Sequence, residues 1–184
     1  MLFETFMRIV FRLQYSVIIC LLFWPSVKVE AIASEMGALA CGFEPGNLYS
    51  SYARDLKGLD VQNCGWENYE CKEKVDLVTA FHVFEHLTDP LKALQKAVSW
   101  LKTNGLIYIE VPNMANGLKL KGFGSLHMAH TIGFGRYSLE LLGAFTGMVP
   151  LEVFDEYDIG IIFKKCFAIP TPIFYFYALL HASD

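Results

Sequence analysis

Short apolar runs alternate with segments of helical spacing along this chain, a pattern typical of an α/β domain. Apolar runs rich in β-branched residues predict strands at 17–22, 39–43, 59–61, 75–80 and 106–111. Helical repeats predict helices at 26–36, at 47–57, and from Pro90 to a left-handed turn at Asn104 and Gly105. The unit over 74–113 has two strands joined by one helix, which indicates parallel strands and a right-handed crossover.

The pattern changes after residue 113. Residues 114–136 are rich in glycine and show little periodicity, which predicts a long loop of functional or mobile character. Helical spacing returns over 138–145, and two apolar runs at 151–154 and 159–164 flank an acidic turn, which predicts an antiparallel hairpin. We therefore predict one α/β domain over 1–184, with a mostly parallel sheet, helices on both faces and a C-terminal antiparallel hairpin.

The two ends of the chain are apolar but lack a bilayer-spanning length. Residues 1–14 predict an amphipathic helix, and the unbroken apolar run at 17–24 is far shorter than the ~20 residues that span a bilayer. A secretory signal is an alternative, because Arg8 and Arg12 precede an apolar run and Ala31 and Ala33 form an A-x-A site. The aromatic tail at 167–184 is predicted to pack on the sheet or on a partner, for instance in a homodimer.

Composition excludes some classes of function. A net charge of −4 and a pI near 5.7 provide no basic face, so we predict no binding of nucleic acid. The five cysteines, at positions 20, 41, 64, 71 and 166, are odd in number and lack C-x-x-C spacing. That usage predicts reduced thiols in a cytoplasmic protein, without a disulfide framework or a cysteine zinc site.

Candidate chemistry lies at the carboxyl ends of the predicted strands, where open parallel sheets bind ligands. Glu44 follows the second strand, where a carboxylate can accept hydrogen bonds from two vicinal ribose hydroxyls. The segment from His82 to His86 also spells H-x-x-E-H, the inverted zinc-protease motif. Because that motif requires a helix and Thr88 to Pro90 would stop one, a zinc hydrolase is a remote alternative, and we predict no metal.

The segments VDLVTAFHVFEHLTDP and LKTNGLIYIEVPN resemble the second half of a class I S-adenosylmethionine-dependent methyltransferase. The similarity is greatest to the group whose fourth strand ends in an EHxxDP turn. CGFEP at 41–45 is similar to the end of that family's second strand, where an acidic residue binds the ribose. The resemblance covers roughly 26–165 and implies a Rossmann-like fold and S-adenosylmethionine as cofactor.

The resemblance implies roles for residues at four strand ends. Glu44 would bind the ribose, Gly65 and Trp66 would contact the adenine, and Phe81 with His82 would lie against the methionine and ribose. The implied reaction is methyl transfer to a small-molecule acceptor by in-line displacement, which depends mainly on positioning. His127 and His130, on the loop over the acceptor, and His86 are candidate catalytic residues, because a neutral imidazole titrates near the working pH.

One segment departs from the family. A glycine-rich turn should follow the first strand, but Phe23-Trp24-Pro25-Ser26-Val27 stands there, with two bulky aromatic residues and no glycine. Two alternatives therefore stay open beside the enzyme. The protein is a methyltransferase-like domain that has lost catalysis, or its N-terminal segment is not the native one.

Overall fold

A computed structural model describes residues 17–21, 37–122, 127–155 and 157–166, with the backbone alone for 17–21 and 121. In this part of the chain seven strands form one sheet in the order β3-β2-β1-β4-β5-β7-β6. They are β1 (Val17–Leu21), β2 (Leu39–Phe43), β3 (Asp60–Gln62), β4 (Val75–Phe81), β5 (Leu101–Pro112), β6 (Met148–Asp155) and β7 (Asp158–Lys165).

The strand directions confirm the predicted fold class. β1 to β5 pair in parallel, whereas β7 pairs antiparallel with both β5 and β6. The strand order reverses beside β1, which has β2 on one side and β4 on the other. Open α/β sheets bind ligands at such a switch point, beyond the carboxyl ends of the strands.

Four α-helices, one π-helical segment and one 3₁₀ turn connect the described strands. They are α1 (Asn47–Ser51), continued by a π-helical segment (Tyr52–Leu56), a 3₁₀ turn (Phe84–His86), α2 (Pro90–Trp100), α3 (Met114–Lys121) and α4 (Arg136–Phe145). The predicted start of α2 is confirmed, because the Asp89 carboxylate accepts a hydrogen bond from the Lys92 backbone N–H at 3.0 Å and Pro90 is the first helical residue.

The core lies between one face of the sheet and helices α2 and α4. Val78, Ile107 and Ile161, from three neighbouring strands, pack with Leu94 of α2 and Leu139 of α4, and all five side chains are buried. Along each strand these core residues alternate with residues that point to the other face of the sheet, as the two-residue period of a strand requires. This packing fixes the carboxyl ends of β4 and β5 relative to each other.

The predicted end of α2 is wrong. The helix ends at Trp100, Leu101 is already extended and pairs with Val75, and the register then jumps to Leu106 opposite Leu77. Gly105 is not among the described glycines with positive φ, so it does not form a left-handed cap. The side chain of Leu101 is buried, so it gains more from the sheet than from a further helical turn.

The predicted loop at 114–136 is also partly wrong, because its first third is the helix α3. The side chain of Asn113 caps this helix by accepting a hydrogen bond from the Asn116 N–H at 3.1 Å. The third strand is displaced by one residue from the predicted 59–61. None of the helices that the structure describes has the length and apolar character that crossing a bilayer requires.

Several predictions concern residues outside the described part of the chain. These are the N-terminal helix at 1–14, the segment at 23–27 that replaces the glycine-rich turn, the helix at 26–36 and the tail at 167–184.

Candidate functional site

Glu44 lies just past β2 with its carboxylate buried and fixed in direction. Its Oε1 accepts a hydrogen bond from the Gly46 N–H at 2.6 Å, and only 4% of the residue is exposed. Asn63 donates from its side-chain amide to the Glu44 backbone carbonyl at 2.9 Å, which joins the ends of β2 and β3. Burial raises the pKa of the Glu44 carboxyl, and the hydrogen bond from Gly46 opposes that shift.

Gly65 and Trp66 lie in the turn after β3. A Cβ on Gly65 would lie 2.6 Å from Oε2 of the exposed Glu67 side chain, which is free to move. The ring of Trp66 is half-buried and packs against the core, and Lys96 of α2 holds the turn by donating to the Glu67 carbonyl at 2.6 Å. The turn therefore lies beside the end of β2, to which the Asn63 side chain joins the end of β3.

Phe81 and His82 stand at the end of β4, as predicted. The Phe81 ring is buried against Tyr108, with ring centroids 5.1 Å apart. His82 has φ of 51°, in the left-handed region, and its N–H donates to the Glu110 carbonyl at 2.9 Å. The positive φ turns the chain at the strand end and leads into the 3₁₀ turn.

The His82 ring belongs to a group of titratable side chains that we call the strand-edge network: His82, Glu85, Tyr108, Glu110 and Asp158. The ring lies between two carboxylates, with Nδ1 3.3 Å from Glu85 Oε1 and Nε2 3.5 Å from Glu110 Oε1. The neighbouring carboxylates of Glu110 and then of Glu85 raise the pKa of His82 to about 10, against the effect of burial. This imidazole is therefore cationic at neutral pH.

The other members of the network come from β5 and β7. The Tyr108 hydroxyl donates to Glu110 Oε2 at 2.6 Å, and burial raises the Tyr108 pKa far above its usual range. One carboxylate oxygen of Asp158, one of Glu110 and one ring nitrogen of His82 all lie within 4.8 Å of one another. Burial raises the pKa of the Asp158 carboxyl, and the charge of His82 opposes the shift.

Sequence reasoning missed Tyr108, Glu110 and Asp158. The run at 106–111 reads as an apolar strand, and Glu110 is the one charged residue within it. A lone carboxylate inside a buried strand is a signal, because buried acids need partners. Tyr108, two positions earlier, shares its face and supplies one.

The three histidines predicted as catalytic candidates lie together, and we call them the histidine cluster. The ring of His130 is 4.9 Å from that of His86 and 4.9 Å from that of His127, measured between centroids. The loop carrying His127 and His130 is held against the 3₁₀ turn, because the Thr131 N–H donates to the Glu85 carbonyl at 2.8 Å. Burial is the main cause that lowers the pKa of His130, and the lowered pKa favours the neutral imidazole.

A separate hollow of about 440 Å³ lies at the opposite end of the sheet. It is lined by the starts of β2 and β4 and by the loop at 69–73, including Glu70. Since the predicted site residues are at the carboxyl edge, this hollow is not part of that site.

The four described cysteine side chains, Cys41, Cys64, Cys71 and Cys166, are free thiols, as predicted for a protein without a disulfide framework.

The H-x-x-E-H segment does not form one helical face. His82 is in the left-handed region at the strand end, whereas Glu85 and His86 lie in the 3₁₀ turn. The inverted zinc-protease motif requires both imidazoles on one face of an α-helix. The zinc-hydrolase alternative therefore lacks its geometric basis.

Comparison with solved structures shows the same fold in many methyltransferases. A 1,6-didemethyltoxoflavin-N1-methyltransferase from Burkholderia thailandensis, with bound 1,6-didemethyltoxoflavin and S-adenosylhomocysteine, aligns with a TM-score of 0.62 at 11% identity over 82% of this chain and 71% of that one. The N-methyltransferase NodS from Bradyrhizobium japonicum, with S-adenosylhomocysteine, gives a TM-score of 0.63 at 14% identity over 82% and 78%. A magnesium protoporphyrin IX methyltransferase from Synechocystis, also with S-adenosylhomocysteine, gives 0.66 at 12% over 82% and 74%. At such identities these likenesses establish the fold alone.

A comparison with curated protein sequences gives no significant match. The family comparison does give one, over residues 18–143, to the family described as a methyltransferase domain. That match extends from the second residue of β1 into α4 and includes the carboxyl ends of β2, β3, β4 and β5. Because it covers well over half of the sequence, the chain belongs to the methyltransferase domain family.

Proposed function

We propose that this protein is an S-adenosylmethionine-dependent methyltransferase that acts on a small-molecule acceptor. The observation that carries the proposal is the Glu44 carboxylate, buried at the carboxyl end of β2 and fixed by the Gly46 N–H. A carboxylate at this position accepts hydrogen bonds from the two hydroxyls of a ribose. Family membership supports the reaction class, and S-adenosylhomocysteine in the structural relatives supports the cofactor.

The chemistry of the Glu44 site fits the ribose of that cofactor. Burial makes the ionised carboxylate costly unless hydrogen-bond donors reach it, and the raised pKa of Glu44 expresses that cost. The Gly46 N–H supplies one donor, to Oε1. Two ribose hydroxyls would supply two more, which would stabilise the charged form.

The neighbouring strand ends complete the proposed cofactor site. Gly65 and Trp66 after β3 would contact the adenine through backbone groups and an aromatic face. At the end of β4, the backbone of Phe81 and the side chain of His82 would border the methionine end, since the ring of Phe81 is buried away against Tyr108. The ends of β2 and β3 lie on one side of β1 and the end of β4 lies on the other, so the cofactor would extend across the switch point of the sheet.

The acceptor would lie on the β5 and β7 side of the cofactor. When bound, S-adenosylmethionine supplies an activated methyl group on a sulfonium sulfur. Glu110 and Asp158 would orient a small polar acceptor there, beside the His82 cation. A neutral imidazole of the histidine cluster would take the proton that the acceptor loses. Positioning of this kind accounts for most of the rate enhancement expected for an in-line transfer.

Binding of S-adenosylhomocysteine to the full-length chain, measured by isothermal titration calorimetry, tests the proposal. We expect one site per chain, and Glu44→Gln should weaken binding about 100-fold, because two hydrogen bonds to a charged group contribute about 3 kcal/mol together. Glu70→Gln is the matched control, since Glu70 is exposed in the loop at 69–73 beside the start of β2, and this change should leave the affinity unchanged.

The rival function is a non-catalytic protein that retains the fold without the cofactor. The sequence at 23–27 favours it, because two aromatic residues stand where the family has glycines. The same titration separates the two: a wild-type chain that binds no S-adenosylhomocysteine would support the rival, and equal affinities of wild type and Glu44→Gln would refute the assigned ribose site.

A further inference from the structure

Glu85 is a buried carboxylate with no hydrogen-bond partner among the described residues. Only 2% of its surface is exposed, and neither Oε1 nor Oε2 is hydrogen-bonded. The neighbours of Oε1 are imidazole nitrogens, with His82 Nδ1 at 3.3 Å and His86 Nε2 at 3.8 Å. The His82 cation lies close to Oε1, but no hydrogen bond from the described residues reaches either oxygen. Burial of a carboxylate without hydrogen bonds is costly, so Glu85 can still take a further cationic ligand.

The ring of His86 is oriented so that one nitrogen faces Glu85. Its Nδ1 lies 2.9 Å from the Ala129 carbonyl oxygen, which can only accept, so in the neutral ring Nδ1 carries the hydrogen. The lone pair is then on Nε2, the nitrogen nearest to Glu85 Oε1. Histidine ligands of metal ions are held in this way, with the second ring nitrogen donating to a backbone carbonyl.

His130 is brought to the same point by the loop that carries it. The Thr131 side-chain oxygen lies within hydrogen-bond distance of two backbone carbonyl oxygens, that of Glu85 at 3.1 Å and that of Leu87 at 2.9 Å. The Ile132 N–H donates to the backbone carbonyl of Glu85 at 3.2 Å. One ligand atom each from Glu85, His86 and His130 lies within 4.8 Å of the other two. The three donors are thus held near one point by backbone hydrogen bonds.

We propose that Glu85, His86 and His130 bind one divalent transition-metal ion. Two imidazole nitrogens and one carboxylate oxygen are a ligand set that zinc and its first-row neighbours prefer, whereas Mg²⁺ and Ca²⁺ prefer oxygen alone. Three protein ligands leave at least one coordination position for water or an acceptor oxygen. This proposal replaces the prediction from sequence that the chain holds no metal.

The charges around the site favour a cation. The strand-edge network brings three carboxylates, those of Glu85, Glu110 and Asp158, to one imidazole, His82. The group therefore has excess negative charge, which a divalent ion would offset. The second group of potential ligands, His82 with Glu110 and Asp158, is a poorer site, because both ring nitrogens of His82 face carboxylates and Tyr108 already donates to Glu110.

The ion would change the role of the histidine cluster. As ligands, His86 and His130 could not accept a proton from the acceptor, which leaves His127 as the candidate base. His127 is outside the ligand set, although its ring contacts that of His130. It is therefore the matched control for the metal site.

Metal binding to the full-length chain, stripped with a chelator and dialysed, tests the inference. Zn²⁺ is titrated by calorimetry and Co²⁺ by its visible absorption, with neither cofactor nor acceptor present. We expect one ion per chain, and His130→Ala and Glu85→Gln should each weaken binding by at least about 100-fold, the upper end of the effects seen for outer-shell changes. His127→Ala should stay within about 3-fold of wild type, and millimolar Mg²⁺ should not displace Zn²⁺.

Three results would overturn the inference: no stoichiometric ion on the wild-type chain, equal losses from His127→Ala and His130→Ala, or displacement by Mg²⁺. Circular dichroism checks the fold of Glu85→Gln, and His130→Ala keeps the test valid if that variant unfolds, since His130 lies in a half-exposed loop. The assay contains no cofactor, so its outcome is distinguishable from failure of the proposed function.

Discussion

The hydrogen bond from Tyr108 to Glu110 should make a measurable contribution to stability. Tyr108 is fully buried, and its hydroxyl lies 2.6 Å from Glu110 Oε2. Tyr108→Phe keeps the ring and its contact with Phe81 but removes the hydroxyl. A hydrogen bond to a charged group contributes about 1.5–3 kcal/mol, and little water can replace it because the Glu110 side chain is only 11% exposed. We therefore expect the free energy of unfolding to fall by about 2 kcal/mol.

Urea unfolding at pH 7, followed by circular dichroism, measures this loss, and a double-mutant cycle with Glu110→Gln isolates the pair. The cycle should give a coupling energy of about 1–2 kcal/mol, in the range found for residues in one network. Tyr137→Phe is the control, because Tyr137 is 67% exposed and its hydroxyl should contribute less than about 0.5 kcal/mol. A Tyr108→Phe variant as stable as the control, or strict additivity with Glu110→Gln, would contradict the reasoning.

Three further predictions concern the ribose site and the core. Burial raises the pKa of Glu44, and the ionised carboxylate is the form that binds hydroxyls, so acidification should weaken binding of S-adenosylhomocysteine already above pH 4.5, the usual pKa of the group. Calorimetry from pH 4 to 8 should show this loss of affinity for the wild-type chain and not for Glu44→Gln. Alanine at position 46 fits the local φ of −75°, but its Cβ would lie 2.8 Å from Glu44 Oε1. Gly46→Ala should therefore lower the affinity for S-adenosylhomocysteine about 10-fold at an unchanged Tm, and an unchanged affinity would count against this geometry. Gly143→Ala would overlap the buried Phe163 ring and should lower the free energy of unfolding by about 1–3 kcal/mol in urea, whereas a neutral effect would show that the ring can move.

The elements that sequence reasoning predicted well have unambiguous ends. β2 occupies the predicted 39–43, because an apolar run there stands between Gly37, which has a positive φ of 84°, and Pro45. The hairpin at the C-terminal end followed from two apolar runs around one acidic turn. In both cases local chemistry and tertiary packing favour the same boundaries, which is the condition for reading a fold from sequence.

The errors arose where local signals disagreed with packing. Asn104 and Gly105 have the chemistry of a helix end, but the burial of Leu101 moves the boundary back to Trp100. The glycine at 117 concealed helix α3, which depends on the cap from Asn113. Neither burial nor a long-range register can be read from such short patterns.

The candidate site was predicted only in part, because its parts are distant in sequence. Glu44 was identified from its place after a strand, but the approach of His130 to His86 depends on a loop that joins the 3₁₀ turn through Thr131. The pairing of His82 with Glu110 depends on the register of β4 and β5, in which Phe81 lies opposite Glu110. These contacts depend on the tertiary structure, and no local sequence motif encodes them.

Unfavourable features are concentrated at the carboxyl ends of β4 and β5, and this concentration is itself an argument for function. His82 occupies the left-handed region, where a residue with a side chain costs about 1–3 kcal/mol. Glu85 is buried without a hydrogen-bond partner among the described residues, and Glu110 is a charge inside an apolar strand. Stability alone would favour a glycine at position 82 and apolar residues at positions 85 and 110. Because these costs lie beside one another and beside the histidine cluster, a ligand that stabilises the charges explains them better than folding does.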